Sequence, residues 1–270
     1  MGDAFVVRRL AGRGRGVVAT RRLAAGEAVL LEEPWAVVLL ADELGSRCDF
    51  SLRPCDKLLR CASTGLCFSS QEDQKAAASL YYKAEQLAAA AVAAKGAGKG
   101  VAGAKPAAAL SRRPAPLRLA LRALHRGGLA GGEHPWTGLE SHWEDLNADK
   151  EEALEQEAAR CLDVVAAGLG LFAEDAGDEA NRAFQLLADV KHVAHLLAAL
   201  DINAMTVTDE EQRDIGLGLY LKGACLNHDD EPNCVQSFVG RQLVVRTCRP
   251  VEEGQELTIA YAELAELSSV

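Results

Sequence analysis

CLNHDDEPNC (residues 225–234) and GQELTIAY (residues 254–261) are the two segments that decide the fold of this chain. The first places Asn227 and His228 beside aspartates and a proline, a composition typical of a turn rather than of a helix or a central strand. The second opens with a Gly-Gln turn, alternates like a strand and ends on Tyr261. Polar side chains on turns and strand ends often converge on a ligand, so these residues predict a site.

A third polar residue, Asn203, lies upstream on the segment INAMTVTDEEQRDIGLGLY (residues 202–220). Strand patterns recur at both ends of the chain, whereas the middle is alanine-rich with helical periodicity. The simplest packing is one α+β fold whose β structure comes from both chain ends, with the helices as insertions. We predict strands at residues 5–9, 17–20, 28–31, 36–40, 234–239, 242–247 and 257–261. We predict helices at residues 71–94, from Pro116 up to Gly127, from Asp149 up to Gly168, and at 179–200.

A glycine turn, GRGRG at residues 12–16, separates the first two predicted strands. It lacks the Gly-Lys-Ser/Thr of a phosphate-binding loop, and no long helix follows it. Two interpretations stay open. The segment is a plain hairpin turn, or it is bare backbone that lets a ligand approach closely.

Composition indicates a globular protein with a substantial core, since 49% of the 270 residues are apolar and 25% are charged. The formal net charge of −10 argues against a diffuse grip on nucleic acid and is compatible with a basic partner. We find no secretory signal and no apolar run long enough to span a membrane. We therefore expect a cytoplasmic or nuclear protein with reduced thiols.

Metal binding is the less favoured interpretation of the cysteines and histidines. The eight cysteines include no Cys-x2-Cys pair, which zinc modules usually need. His192 and His195 lie three apart on a predicted helix, but no His-Glu-x-x-His motif or obvious third ligand accompanies them. We expect a core or solvated histidine pair and no bound metal.

These motifs together resemble the SET-domain methyltransferases, and among them the SET-and-MYND (SMYD) family. GRGRGVVATRRLAAGEAVLLEEPWAVVL (residues 12–39) resembles the family's opening strands, and the two segments quoted first resemble its core. LESHWEDLNADKEEAL (residues 139–154) resembles its helical insert, and PCDKLLRCASTGLCFSSQEDQKAA (residues 54–77) resembles a worn MYND zinc finger. The resemblance covers nearly the whole chain.

The resemblance implies small twisted sheets with a C-terminal pseudoknot. It also implies transfer of a methyl group from S-adenosylmethionine to a lysine of a histone or another protein. By the same resemblance, Tyr261 is the catalytic tyrosine and Met205 borders the lysine channel. The residues implied to hold the cofactor are Arg13, Gly14, Arg15, His142, Asn203, Asn227 and His228.

The resemblance also divides the chain into six segments. Residues 1–45 are the N-terminal part of the SET domain, 46–92 a degenerate MYND-like insert, 93–115 a low-complexity linker, 116–178 a helical insert, 179–263 the SET core, and 264–270 a tail.

Several positions depart from the family pattern. Asp230 stands where the family has a zinc-binding cysteine, and no cysteine follows Tyr261 in this sequence. In the finger, Ser51 and Thr64 stand where cysteines belong, and the late ligands fall among residues 82–86. The cysteines that keep their places are Cys48, Cys61 and Cys67. We therefore expect neither the zinc site beside the cofactor nor a fully liganded finger.

A retained core beside these losses leaves alternatives open. Our leading hypothesis is a lysine methyltransferase whose partner is a protein bearing the substrate lysine, with no direct nucleic-acid partner and no membrane. The alternative is a catalytically weak or inactive SET-domain protein that acts as an interaction scaffold. A zinc-finger recruiter is the third and weakest hypothesis.

Overall fold

The computed structural model of the protein describes residues 4–97, 113–130, 134–169 and 189–261. In these residues, short strands in small sheets accompany separate helices, which confirms the predicted α+β class. The strands are β1 (Phe5–Leu10), β2 (Gly14–Ala19), β3 (Ala28–Glu32), β4 (Ala36–Leu39), β5 (Leu59–Arg60), β6 (Cys67–Phe68), β7 (Ala204–Thr208), β8 (Asp214–Leu219), β9 (Asn227–His228), β10 (Cys234–Val239), β11 (Gln242–Thr247) and β12 (Glu256–Ile259). The α-helices are α1 (Gln71–Ala77), α2 (Lys83–Ala97), α3 (Ala115–Leu129), α4 (Ala148–Gly168) and α5 (Val190–Asn203).

The chain divides into two compact units. The terminal unit comprises Met1–Glu33 and Tyr220–Val270, and the central unit comprises Pro34–Leu219. The terminal unit takes its residues from both ends of the chain, as the sequence predicted. The strands β4, β7 and β8 belong to the central unit, so this division cuts across the predicted SET segments.

Two small sheets form the terminal unit, and each joins strands from opposite ends of the chain. The first has the strand order β1-β2-β12-β9, with β12 antiparallel to β2 and parallel to β9. In β2, Val17, Val18 and Ala19 are consecutive and all buried, so both faces of this strand are covered. In the second sheet, β11 lies between β10 and β3 and is antiparallel to both.

The hairpin of β10 and β11 has the bounds that the sequence predicted. Its two-residue turn is Gly240-Arg241, and Gly240 has a φ of 59°, which suits the tight turns that join antiparallel strands. The hydroxyl of Tyr220, which is fully buried, donates to the carbonyl of Arg241 (2.6 Å). This hydrogen bond fixes the turn to the interior of the terminal unit.

In the central unit, α3 packs against the sheet β4-β8-β7 through buried arginines. Arg118 donates to the carbonyl of Leu39 (2.6 Å) and Arg122 to that of Val37 (2.7 Å). The predicted end of this helix at Gly127 is wrong, because α3 continues to Leu129. Tertiary contacts outweigh the low helix propensity of glycine here. Arg126, in the last turn, donates to two carbonyls of the segment before β4.

The N-caps of the next two helices are side chains that accept from backbone N–H groups. Asn147, not Asp149, caps α4, since its Oδ1 accepts from the backbone N–H of Lys150 (2.9 Å). The helix α5 begins after Asp189, whose Oδ1 accepts from two backbone N–H groups of its first turn. This helix ends at Asn203, three residues beyond the end predicted at residue 200, and the first part of the prediction, residues 179–188, lies outside the described residues.

The segment that resembles a worn zinc finger folds around an apolar cluster. The short hairpin of β5 and β6 precedes α1, and a π-helical turn, Ala78–Tyr82, joins α1 to α2. The helix α2 reaches Ala97, so the first residues of the predicted linker are helical, while residues 98–112 lie outside the described residues. The buried cluster consists of Cys48, Leu66, Phe68, Ala77, Tyr81 and Tyr82.

Candidate functional site

Tyr261 lies two residues beyond β12, against the strand that carries His228. Its backbone N–H donates to Nδ1 of His228 (3.0 Å), and its hydroxyl donates to the carbonyl of Leu226 (2.8 Å). The two rings lie 5.3 Å apart between centroids. Because β12 and β9 are parallel, their ends meet at one edge of the sheet, which places the phenol and the imidazole together.

Asn227 links this edge to the glycine turn. Its Nδ2 donates to the carbonyl of Arg15 (3.0 Å) and to Oε1 of Glu256 (2.7 Å). Both amide hydrogens therefore have acceptors, and Oδ1 is the atom of the amide that remains to accept a hydrogen bond from a ligand.

The side chain of Arg13 reaches the same network from the turn. Its Nη2 donates to the carbonyl of His228 (2.7 Å), and its Nη1 lies 3.1 Å from Oε2 of Glu256. Arg13 is thus held by protein acceptors on β9 and β12. The three predicted residues Arg13, Asn227 and His228 meet through Glu256 and backbone carbonyls.

Two glycines of the turn meet different requirements. Gly14 has a φ of 67°, a conformation that L side chains rarely adopt. Gly16 is buried, and a Cβ on it would collide with the Leu10 side chain and lie 2.9 Å from Oε1 of Glu256. Glycine at position 16 therefore leaves room for the Glu256 carboxylate. The turn is the hairpin between β1 and β2, and the glycine after it permits the close approach of the Glu256 side chain.

The Tyr261 phenol is protonated at neutral pH, and its surroundings strengthen that preference. Partial burial raises the pKa of Tyr261, and the Arg13 guanidinium opposes that rise in part. An ordinary tyrosine already titrates near pH 10. At neutral pH the hydroxyl is therefore a hydrogen-bond donor, and its use on the Leu226 carbonyl leaves the oxygen lone pairs to accept from a ligand.

The remaining predicted residues lie in the central unit. Asn203 is buried at the end of α5, where its Nδ2 donates to the carbonyls of Glu140 and Ala199 (2.7 Å each). His142 lies two residues after Glu140 in a left-handed conformation, with φ 46° and a largely exposed side chain. Asn203 thus anchors the segment on which His142 lies.

Met205 follows on β7, where it pairs with Gly218 of β8. Its side chain is half-buried. It lies two residues after Asn203, so the helix end and the strand start place both on one connected segment.

The two histidines of α5 have separate neighbours. His192 packs 4.2 Å from the His134 ring and 6.0 Å from the Trp136 ring, between centroids. His195 stacks on Trp143 at 4.1 Å. The described residues contain no group of three or more His, Cys, Asp or Glu side chains that could hold a metal ion.

Sequence reasoning missed Glu256 and Gly16. Glu256 lies between the predicted Gly-Gln turn and the strand predicted at 257–261 and was given no role, although an acidic residue directly before a buried apolar strand is a signal in itself. The approach of Glu256 to Gly16 depends on the pairing of β12 with β2, which the local sequence does not reveal.

Comparisons with known proteins agree with the resemblance that the sequence motifs indicate. The sequence pattern of the SET domain matches residues 14–262. The chain is 26% identical over 260 residues to histone-lysine N-methyltransferase SMYD3 of Mus musculus, covering 94% of this chain and 54% of that protein. It is 28% identical over 258 residues to the Homo sapiens protein of the same name, covering 93% and 54%. The chain spans about half the length of these curated relatives.

A solved structure with a similar course is the SET domain of LSMT bound to lysine and AdoHcy. The TM-score is 0.42 at 10% identity, with 97% of this chain and 50% of that chain covered. No helix among the described residues has the length and apolar character that a membrane crossing requires.

The family assignment rests on the extent of the SET pattern, which begins in the glycine turn and ends just after Tyr261. Relatives at 26% and 28% identity cover the same stretch. The chain belongs to the SET-domain family.

Proposed function

We propose that this protein transfers a methyl group from S-adenosylmethionine to a lysine amine of a protein substrate. The observation that carries the proposal is the position of Tyr261, held by His228 and the Leu226 carbonyl at the end of a chain segment that matches the SET domain. Relatives that cover this chain are named histone-lysine N-methyltransferases. A histone tail or another lysine-bearing protein is the proposed partner.

The residues at this edge fit a ligand of that chemistry. Oδ1 of Asn227 is an acceptor suited to the ammonium group of an amino-acid ligand, since its amide nitrogen is already engaged. The side chain of His228 is 45% exposed, so its ring is accessible. S-adenosylmethionine supplies a methyl group activated by a sulfonium when bound.

The role of Tyr261 follows from its protonation state. A lysine amine must be neutral to attack a methyl carbon, whereas free lysine has a pKa of ~10.4. A protonated phenol does not remove that proton, but its oxygen accepts from the amine N–H and so orients the nitrogen lone pair. The ammonium loses its proton to water on entering an apolar channel, which disfavours the charged form and lowers its pKa. The neutral nitrogen then forms a bond to the methyl carbon as the carbon–sulfur bond breaks, which leaves S-adenosylhomocysteine and a methylated ammonium. Holding the reactants in line supplies up to ~7–11 kcal/mol of the barrier reduction for this step.

Other assignments are part of the same proposal. Asn203 and His142 contact the cofactor, and Met205 borders the channel for the lysine. The glycine-turn residues Arg13, Gly14 and Arg15 line the cofactor. Support comes from the SET pattern, which spans all of these positions except Arg13, and from the anchoring of the segment before His142 by Asn203.

We propose that apolar packing, rather than bound zinc, stabilises the finger-like segment. The thiol of Cys48 donates to Asp73 (3.2 Å), and that of Cys67 donates to the carbonyl of Gly65 (3.7 Å). The cluster around Phe68 supplies apolar burial instead. We further propose a cytoplasmic or nuclear location without direct nucleic-acid binding, in keeping with a net charge of −10.

Isothermal titration of the folded protein with S-adenosylhomocysteine tests cofactor binding. We expect saturable binding with one site per chain. Folded protein that releases no heat with this ligand would exclude both cofactor binding and the methyltransferase.

A Tyr261→Phe variant then separates catalysis from cofactor binding. We expect kcat on a lysine peptide to fall by about 10²-fold or more, the scale of losing one preorganised hydroxyl, while the affinity for S-adenosylhomocysteine holds. An interaction scaffold predicts instead that partner binding survives this substitution and that no peptide is methylated by either protein.

A further inference from the structure

We propose that Glu256 is a positioning residue that sets the orientation of the Asn227 amide and the Arg13 guanidinium for cofactor binding. This inference rests on the proposed function. The carboxylate opens β12, pairs through its backbone with Val18 of β2, and has 18% of its side chain exposed. It therefore lies where the glycine hairpin, β12 and β9 come together.

The two carboxylate oxygens have different partners. Oε1 accepts from Nδ2 of Asn227 at 2.7 Å, and Oε2 lies 3.1 Å from Nη1 of Arg13. One side chain thus holds a residue from each end of the chain. Charge-assisted hydrogen bonds of this kind are about twice as strong as neutral ones.

An ionised carboxylate only accepts hydrogen bonds, and this decides the direction of the asparagine amide. If the amide flipped, Oδ1 would face both the carboxylate and the carbonyl of Arg15, two acceptors without a hydrogen between them. Glu256 and the Arg15 carbonyl together therefore hold Nδ2 inward and Oδ1 outward. An outward acceptor is what a ligand ammonium requires.

The same carboxylate fixes Arg13. With Nη1 at Glu256 and Nη2 on the carbonyl of His228 (2.7 Å), the guanidinium is held at two points. Its positive charge is matched locally, so it does not repel a cationic ligand as an unpaired arginine would.

The Glu256–Arg13 pair differs from an exposed surface ion pair in its burial and in its contacts. Exposed ion pairs contribute little to stability, and a pair of that kind exists in the same unit between Arg22 and Glu252, whose side chains are 74% and 68% exposed. Glu256, by contrast, is largely shielded and contacts the Asn227 amide. Its position also requires the absence of a side chain at Gly16.

The test compares Glu256→Gln with Glu256→Asp and with the control Glu252→Gln. The glutamine keeps the size but loses the charge and gains a donor, so the asparagine amide keeps the Arg15 carbonyl as its acceptor and loses the acceptor-only partner that opposes a flip. We expect the Kd for S-adenosylhomocysteine and the KM for S-adenosylmethionine to rise about tenfold, the effect of losing one charge-assisted hydrogen bond. We expect kcat at saturating cofactor to change less than about threefold, since the phenol is untouched.

Glu256→Asp keeps an acceptor-only group and is expected to recover part of the affinity, while Glu252→Gln behaves like the wild type. Equal cofactor affinity in wild type and Glu256→Gln, both folded, would overturn this inference and leave the proposed function standing. Equal losses in kcat and in thermal stability without a KM effect would also overturn it, because they indicate a structural role. Failure of the wild type itself to bind would overturn the proposed function first.

Discussion

Single side chains explain which chemistry the described site permits. The phenol of Tyr261 is protonated at neutral pH because an ordinary tyrosine titrates near pH 10, and partial burial raises its pKa further. The amide of Asn227 has one direction because both its acceptors lie on one side, and this second fact cannot be obtained from residue identity alone. The sequence predicted that Asn227, His228 and Tyr261 would cluster, and the parallel pairing of β9 with β12 explains why they do.

His125 is a buried side chain whose protonation makes the free energy of unfolding depend on pH. It is fully buried on α3, and burial lowers its pKa to about 4, with Arg122 adding to the shift and a backbone contact at Val164 opposing it. In the unfolded chain this histidine has a pKa near 6.5. Its neutral, buried form therefore contributes fully to the free energy of unfolding above pH 6.5, and this contribution is lost as the pH falls toward 4. The loss amounts to about 3 kcal/mol, since each pKa unit corresponds to about 1.4 kcal/mol.

Urea unfolding between pH 7.5 and 4.5 measures this effect. Acidic groups also lower stability in acid, so the informative quantity is the difference between proteins. We expect a His125→Phe variant to lose less stability over this range than the wild type. The exposed His142→Gln variant should follow the wild type, and parallel curves for all three proteins would contradict the assignment.

Helices and strands show where prediction from sequence stops. The bounds of β10 and β11 were predicted correctly, because alternation and a Gly-Arg turn are local signals. The end of α3 was not, because Arg118, Arg122 and Arg126 bond to carbonyls of β4 and of the segment before it. Helical periodicity places arginines on a solvated face, and only the neighbouring strand shows that these are buried.

The start of α4 gives a prediction about capping. Asn147 accepts from the N–H of Lys150, whereas Asp149 lies inside the first turn. We expect Asn147→Ala to destabilise the protein by about 1 kcal/mol, the usual contribution of an N-cap. Thermal or urea unfolding measures this. Asp149→Ala is the matched control and should cost only a few tenths of a kcal/mol; an equal or larger effect there would restore the original assignment of the cap.

The finger-like segment gives a prediction about metal. Its described core is apolar, and the thiols of Cys48 and Cys67 have hydrogen-bond acceptors within the segment. A chelator removes structural zinc and lowers the Tm of a domain that depends on it. Because we expect packing rather than zinc to stabilise this segment, we expect incubation with EDTA to leave Tm unchanged. Metal analysis of the same sample is expected to show well under one zinc per chain. A large fall in Tm on chelation would show that zinc is bound after all.

The terminal unit shows how much of the fold could be predicted from the sequence and how much could not. Both sheets of the terminal unit pair strands from opposite chain ends. That arrangement follows from a simple idea, β structure at both ends around a helical middle. The register that brings Glu256 beside Gly16 depends instead on long-range pairing between β12 and β2. The class of fold was therefore predictable, whereas the network behind the candidate site was not.

The net charge of −10 leads to a prediction about the substrate. Long-range attraction favours encounter with basic segments, and salt screens it. We expect kcat/KM on a lysine peptide flanked by arginines to fall several-fold as ionic strength rises from about 0.05 M to 0.5 M. A peptide with the same lysine flanked by glutamates should be a poorer substrate at low salt and should lose no activity as salt is added. Steady-state assays with both peptides measure this, and an identical salt response would show that the charge of the chain does not steer its substrate.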